Sequence, residues 1–426
     1  MGAFLGVFAL FLVSGVPIAL ALGIAGVAFL WLSGNEMMVL QLPQRMMAGV
    51  NQFVLLTIPL FLLAGTLMNA GGITDRIVNF ARATVGHRRG GMSSVTVLSA
   101  GFFAGISGSA NAEAAALGSI LIPTMKKQGI PGPYAAALVG VCTIVGPIIP
   151  PSITMIIYGV LSGTSIGQLF LAGVVPGILL VLLFLVYASW RAQRDGFPVS
   201  ERMPMAQRSA ALVRVMPALM LPVLILVGIK TGVFTPTEAA AVAVVYALIV
   251  GFAYRQLPLS RIWEALVVTA VVTSSILFIT SMASIVAFVF TLEQVPERIA
   301  EFILSVTDNQ VLILLFLNLF LLLLGMFIDP ISILILAMPI LLKISALLGL
   351  DPVHFGTMVV LNVVIGMATP PVGIQLFIVS AASGEPLTSV IREALPLVAI
   401  CIIVLAFVTF VPSLTLFLPN ALIPVN

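Results

Sequence analysis

The sequence predicts an all-α integral membrane protein made of two inverted halves, each holding one re-entrant helical hairpin and one helix broken by Pro-Pro. Three observations predict it. Of 426 residues, 61% are hydrophobic and only 8% charged, whereas a soluble domain carries about 25% charged residues, so this surface is too poor in charge to face water. Apolar runs long enough to cross a bilayer recur from end to end. Segments of the first half also return in the second at a near-constant offset.

The repeat rests on three matches. Pro17 and Pro236 each open an apolar helix. Thr74-Asp75-Arg76-Ile77-Val78-Asn79-Phe80 resembles Pro296-Glu297-Arg298-Ile299-Ala300-Glu301-Phe302. Gly146-Pro147-Ile148-Ile149-Pro150-Pro151 resembles Gly366-Met367-Ala368-Thr369-Pro370-Pro371. The three matches come in the same order and at nearly the same displacement along the chain. They define a first repeat at 1–190, a linker at 191–213 and a second repeat at 214–426.

Each half then reads alike. A first helix (about 3–14, then 214–232) is followed by a second that starts at the proline (17–33, then 236–254) and a third (47–70, then 260–290). Thr235-Pro236-Thr237-Glu238 is a capping-box start: a threonine cap, proline in the first turn and a glutamate able to reach back. Short amphipathic segments follow (72–86, then 293–306), and then apolar segments with a polar break in the middle (91–128, then 309–346). Each arm of these has about 15 residues, roughly 22 Å of helix, against a hydrocarbon core of about 30 Å. Two short arms that enter and leave on one side fit better than two crossings. Their tips are Ser107-Gly108-Ser109-Ala110-Asn111 and Gly325-Met326-Phe327-Ile328-Asp329-Pro330. The Pro-Pro helices (133–161, then 353–382) and closing helices (167–190, then 387–419) complete the halves.

Charge orients this path. One side collects Arg76, Arg82, Arg88, Arg89, Lys126, Lys127, Arg191, Arg194, Arg202, Arg208, Arg214, Arg255, Arg261 and Arg392. The other collects Arg45, Lys230, Arg298 and Lys343, so 14 against 4 account for all 18 basic residues. The basic side is the cytoplasmic one. Residues 1–33 have no basic leader and are expected to stay as a helix rather than be cleaved as a signal.

Inverted halves with broken helices are a common construction of secondary transporters. A break leaves carbonyls and amides unpaired at mid-depth, which is tolerable only inside protein or around a wet cavity. Free carbonyls suit sodium, and helix N-termini suit a carboxylate.

The chain resembles the large membrane subunit of the tripartite ATP-independent periplasmic (TRAP) transporters along its full length. The resemblance is carried by Asn69-Ala70-Gly71-Gly72, Ser107-Gly108-Ser109-Ala110, Gly146-Pro147-Ile148-Ile149-Pro150-Pro151-Ser152, Phe234-Thr235-Pro236-Thr237-Glu238-Ala239, residues 325–329 and Thr369-Pro370-Pro371-Val372-Gly373. It implies a multi-pass protein of the bacterial inner (cytoplasmic) membrane that imports small organic anions by an elevator mechanism. Sodium is the implied coupling ion, with no other cofactor. The implied partners are a small (Q-type) membrane subunit as a separate chain and a periplasmic (P-type) substrate-binding protein. Dicarboxylates, sialic acid and sugar acids are all carried within the family. A stand-alone sodium–dicarboxylate elevator carrier is the alternative.

Candidate sodium ligands are Ser107, Gly108, Ser109, Gly146, Ile149 and Pro150 in the first half, and Gly325, Asp329, Gly366, Thr369 and Pro370 in the second. An acid within the membrane is expensive and usually functional; Asp329 can also cap the helix that follows it. Ser107 and Ser109 can offer oxygen ligands or simply permit close packing. The carbonyl role of the broken helices is implied by the resemblance. Asn111, Ser152, Asn362 and Gln375 are candidates to bind substrate, or to hold helices together. Relatives often have Asp-Thr where Glu113-Ala114 stand here; Glu113 is either a buried acid near the first site or, the favoured reading, paired with a neighbour. Pro330 directly follows Asp329 and stiffens that tip.

Other classes are poorly supported. The net charge of +3 gives no support for a nucleic-acid partner; the lipid bilayer is the expected environment. No His-Glu-x-x-His is present, and the Gly-Lys of a phosphate loop is missing, so neither enzyme nor primary pump is expected. Two separate histidines, His87 and His354, make no metal site, and Cys142 and Cys401 are expected to pack in apolar helices.

Overall fold

The computed structural model describes residues 2–88, 90–199 and 202–423; Arg89 and residues 200–201 of the expected linker lie outside them. The described residues form helices and connecting turns with no strand. The first half contains α1 (Gly2–Val13), α2 (Ile18–Leu32), α3 (Glu36–Val39), α4 (Leu42–Val50), α5 (Thr57–Ala70), α6 (Ile73–Val85), α7 (Gly91–Ser107), α8 (Ala110–Lys127), α9 (Gly132–Cys142), α10 (Ile153–Ser162) and α11 (Ile166–Arg194). The second contains α12 (Met205–Lys230), α13 (Pro236–Ala253), α14 (Leu259–Leu292), α15 (Val295–Val306), α16 (Gln310–Gly325), α17 (Pro330–Leu347), α18 (Pro352–Gly366), α19 (Ile374–Ser383), α20 (Leu387–Phe410) and α21 (Ser413–Leu422). Seven of the described helices are long and apolar enough to cross a membrane.

Local chemistry sets the ends of these helices. The Thr235 hydroxyl accepts from the Glu238 amide, while a Glu238 carboxylate oxygen accepts from the Thr235 amide at 2.8 Å. That reciprocal pair starts α13. Gly108 joins α7 to α8 at φ +59°, a left-handed conformation that costs glycine nothing. Asp329 caps α17, accepting from the amides of Ile331 and Ser332 at 3.0 and 3.1 Å and from the Ser332 hydroxyl. Ser152 caps α10 by accepting from Met155 at 3.1 Å, and its own hydroxyl donates to the Pro147 carbonyl.

α13 lies along α5, and α2 lies along α14, so each half supplies a partner for the other. Thr57 and Thr237, near the starts of α5 and α13, share a buried hydrogen bond of 2.9 Å. Around the interior, α8, α9, α19 and α20 pack together.

Ion pairs between distant segments join residues that share a side in the charge-based path: Lys126 with Glu385, Arg191 with Glu393, and Lys343 with Glu297. His87 sits beside the basic cluster. Partial desolvation first, then Arg202, Arg208 and Arg88, hold its imidazole below the usual range.

Three boundaries differ from the sequence reading. The third segment is divided: α4 ends at Val50 and α5 begins at Thr57. α12 starts at Met205, within the expected linker, because a helix of 26 residues spans about 39 Å. It therefore outruns a core of about 30 Å and carries Arg208 and Arg214 on its first turns. The closing segment is also two helices. Val411 precedes Pro412 and takes φ −124°, ψ 80°, as the clash with a following proline ring favours. α21 then packs against α11, and Gln168 donates to the Ile423 carbonyl at 3.1 Å.

Candidate functional site

The two tips meet. A cavity of about 320 Å³ is bordered by Gly108, Ser109 and Asn111 of the first tip and by Asp329, Pro330 and Ile331 of the second. Pro147 and Met367, from the two helix breaks, also border it. Leu62 of α5 and Val272, Ser275 and Ile279 of α14 close it with a largely apolar wall.

Each tip is pressed against the break of its own half. A Cβ on Gly108 would strike the Pro151 carbonyl. A Cβ on Gly325 would lie 2.9 Å from the Gly366 Cα and 3.0 Å from the Val363 carbonyl. The Gly373 amide donates to the Met326 carbonyl at 3.1 Å, tying the second break to the second tip. The Pro150-Pro151 and Pro370-Pro371 peptide bonds are both cis.

The candidates fall into different places. Ser107 is buried, and its hydroxyl donates to Glu113 at 2.9 Å. Ser109 starts α8, with its hydroxyl accepting from Ala112 at 3.5 Å. Gly146 faces the Glu113 carboxyl group. Ile149 packs toward Gly177, and the Pro150 carbonyl lies beside Gly105. The Thr369 hydroxyl donates back to the Ile365 carbonyl at 2.8 Å, and Pro370 is half-buried. Asn111 lines the cavity and accepts from the Gln375 amide at 3.0 Å, a bond between the first tip and the second broken helix. Ser152 is a fully buried helix cap. Asn362 is buried away from the cavity lining and donates to the Asn318 carbonyl and side chain at 2.9 and 2.7 Å.

Comparison with known proteins decides the family. The family model for the tripartite ATP-independent periplasmic transporter, DctM component, matches residues 5–414. The chain belongs to this DctM family. It is 38% identical over 410 residues to the sialic acid TRAP transporter large permease protein SiaM of Vibrio cholerae, covering 96% of each chain. It is 42% identical over 369 residues to the C4-dicarboxylate TRAP transporter large permease protein DctM of Pseudomonas aeruginosa, covering 86% of each. In fold it is similar to the YdaH transporter of Alcanivorax borkumensis, with a TM-score of 0.65, 14% identity and 90% of each chain covered. The protein is therefore a TRAP large permease of the bacterial inner membrane, and not an enzyme.

In this permease Glu113 is a buried acid that pairs with a neighbour through one oxygen only. One carboxylate oxygen accepts from Ser107, but the other is buried with no hydrogen-bond partner. No basic residue pairs with it among the described residues. A buried carboxylate with an open lone pair is costly unless a cation or donor completes it. The sequence signal was an acid in the first turn of a helix of small residues; its facing glycine, Gly146, belongs to a separate segment of the chain. One spacing also resembles a hydrolase nucleophile elbow: Gly163-Thr164-Ser165-Ile166-Gly167. Ser165 instead caps α11 and follows a helix rather than a strand.

Proposed function

We propose that this permease imports a small organic anion together with sodium, with the two tips and two broken helices as the moving binding site of an elevator. The observation that carries the reading is the single cavity where both tips and both breaks converge, joined by the Asn111–Gln375 bond. Backbone amides at the start of α8 suit an anion, whereas those at the start of α17 are taken by its Asp329 cap; Asn111 adds a side-chain amide. Oxygen-rich surroundings suit sodium: Ser107, Ser109 and Glu113 with the carbonyls of residues 146–150 in one half, and Asp329 with those of residues 325, 366, 369 and 370 in the other. Bound sodium offsets the charge of the anion in a medium that penalises net charge.

Relatives named for sialic acid, C4-dicarboxylates and 2,3-diketo-L-gulonate share the carboxylate as a chemical handle. A binding protein and a small permease complete the proposed assembly. The word tripartite in the family description supports it, as does a relative named DctMQ, of which this chain spans only 65%.

The test is uptake by proteoliposomes holding the chain, its small subunit and its binding protein under an imposed sodium gradient. Asp329→Ala removes a charged acceptor, a loss of about 1.5–3 kcal/mol at the site. Sodium-dependent uptake should fall at least about tenfold, while membrane insertion is retained. Normal uptake with unchanged sodium dependence overturns the role. Uptake of free solute by the purified chain alone overturns the tripartite part of the reading.

A further inference from the structure

A second and larger cavity lies away from the tips. It measures about 760 Å³ and opens between the second arm of the first hairpin and two turns on the basic side of the protein. Ala116 and Ser119 of α8 form one wall, Asn69 and Asp75 another, and Arg255 and Arg261 a third. The arginines are held differently. Arg261 donates to the carbonyls of Ala70 and Gln256 at 3.0 and 3.1 Å, which fixes its guanidinium at the rim. Arg255 is exposed, and its side chain makes no hydrogen bond or ion pair among the described residues. Its backbone sits at φ +55°, in the left-handed turn that ends α13, where the Gln256 amide donates back to the Gly251 carbonyl at 3.4 Å; a non-glycine residue is strained there. Asp75 is the opposing acid. Arg76, which bonds Gln256 at 3.0 Å, adds a third positive charge behind the wall.

This cavity and the tip cavity lie at two ends of one face of α8, Ser119 bordering the first and Asn111 the second. Asn111, Ala112, Ala115 and Ser119 are exposed along it. Ser119 is eight residues from Asn111, about 12 Å along the helix. The face carries only small side chains and polar ones at its ends, unlike the exposed face of α16 with Leu312, Leu315, Phe316, Leu319 and Phe320. A path lined by alanine, serine and asparagine, ending at two arginines, offers an anion water and positive charge rather than lipid.

We propose that this cleft is a cytoplasmic release site for the organic anion, in which Arg255 and Arg261 receive its carboxylate after it leaves the tip cavity. The proposal rests on the anion-import reading above. Arg255 is the free donor and Arg261 the fixed one; together they hold an anion long enough to part it from sodium, yet in an open cleft that lets it go. The same charges draw anions already in the cytoplasm, so the site also carries inhibition by accumulated product.

The test reads charge without needing transport. Ser119→Cys is placed in the full complex in inside-out vesicles; Cys142 and Cys401 are buried and stay silent. Labelling rates are compared for a sulfonate-bearing and a trimethylammonium-bearing methanethiosulfonate, each normalised to a free thiol. The anionic reagent should react faster. Arg255→Gln should lower the anion-to-cation rate ratio about threefold, as expected for one charge at vestibule distance under screening. Arg255→Lys should keep the ratio. Arg255→Gly, which relieves the backbone strain, should lower it like Gln. Succinate and N-acetylneuraminate are then added as probes, and at least one should slow labelling, at concentrations that rise with Arg255→Gln. No labelling by either reagent, or a ratio indifferent to Arg255→Gln, overturns the basic cleft. A charge-dependent ratio with no protection by either probe overturns the release site. Protection with no sodium-driven uptake of any organic anion leaves the anion site standing and overturns the transport reading on which its role rests.

Discussion

Glu113 offers the sharpest residue-scale prediction. Its carboxyl group faces Gly146, at the break where the first-half carbonyls gather, with Oε1 accepting from Ser107 and Oε2 left without a partner. Glu113→Gln keeps the shape and the Ser107 contact but removes the charge. A charged hydrogen bond or ion contact is worth about 1.5–3 kcal/mol, so apparent sodium affinity should weaken roughly tenfold or more. Sodium-dependent thermal shift of the purified complex measures this without transport; an unchanged shift removes Glu113 from the site. The glycines at the second break permit an independent check. Gly325→Ala puts a Cβ against the Gly366 and Val363 backbones, neither of which is the end of a flexible side chain. Overpacking of this kind costs about 1–3 kcal/mol, and the thermal midpoint should fall. Gly118→Ala is the control: its nearest neighbours lie at 3.6 and 3.8 Å, so that variant should be neutral or gain up to about 1 kcal/mol from helix propensity. Both tips could be read from sequence because a polar break inside an apolar run is a local signal. The surroundings of Glu113 could not, since they depend on which distant helix break packs over α8.

At the scale of the element, start signals were legible and lengths were less so. Thr235 and Glu238 form the expected capping box. Thr235→Ala should cost about 1 kcal/mol, seen as a lower midpoint in thermal unfolding; no change would mean that packing of α13 on α5 alone holds the helix end. α12 and α21 show where composition misleads. Arg208 read as linker, although long basic side chains on a helix extending past the lipid are well solvated. The apolar run after residue 387 read as one helix, although Pro412 marks its end at Val411. Polar side chains were equally ambiguous: Asn111 and Asn362 look alike in sequence, yet one lines the cavity and the other is spent on Asn318. Nothing local distinguishes them, because the difference lies in the helix that each one faces.

The whole molecule is asymmetric where its sequence repeat is not. The caps Ser109 and Asp329 stand at the same displacement as the two helix breaks, Gly146 and Gly366, which places the two second arms in register. Along α8, Ala112 and Ala115 are exposed; their counterparts on α17, Ser332 and Ile335, are buried. The second arm of the second hairpin is covered by α10, α14 and α15, while that of the first borders the large cleft. Under the elevator proposed above, two equivalent arms with unequal exposure mark one end state, and the other state should exchange them. Cysteines at Ala115 and Ile335 test this in the assembled complex. Without sodium or binding protein, Ala115→Cys should react with an impermeant thiol reagent from the cytoplasmic side, and Ile335→Cys should be protected from the periplasmic side. Sodium with solute-loaded binding protein should slow the first and expose the second, by the same population shift and therefore with the same dependence on sodium concentration. Rates that change at one position only, or at both with different sodium dependence, are incompatible with a single rigid-body exchange and exclude an elevator that moves both hairpins together.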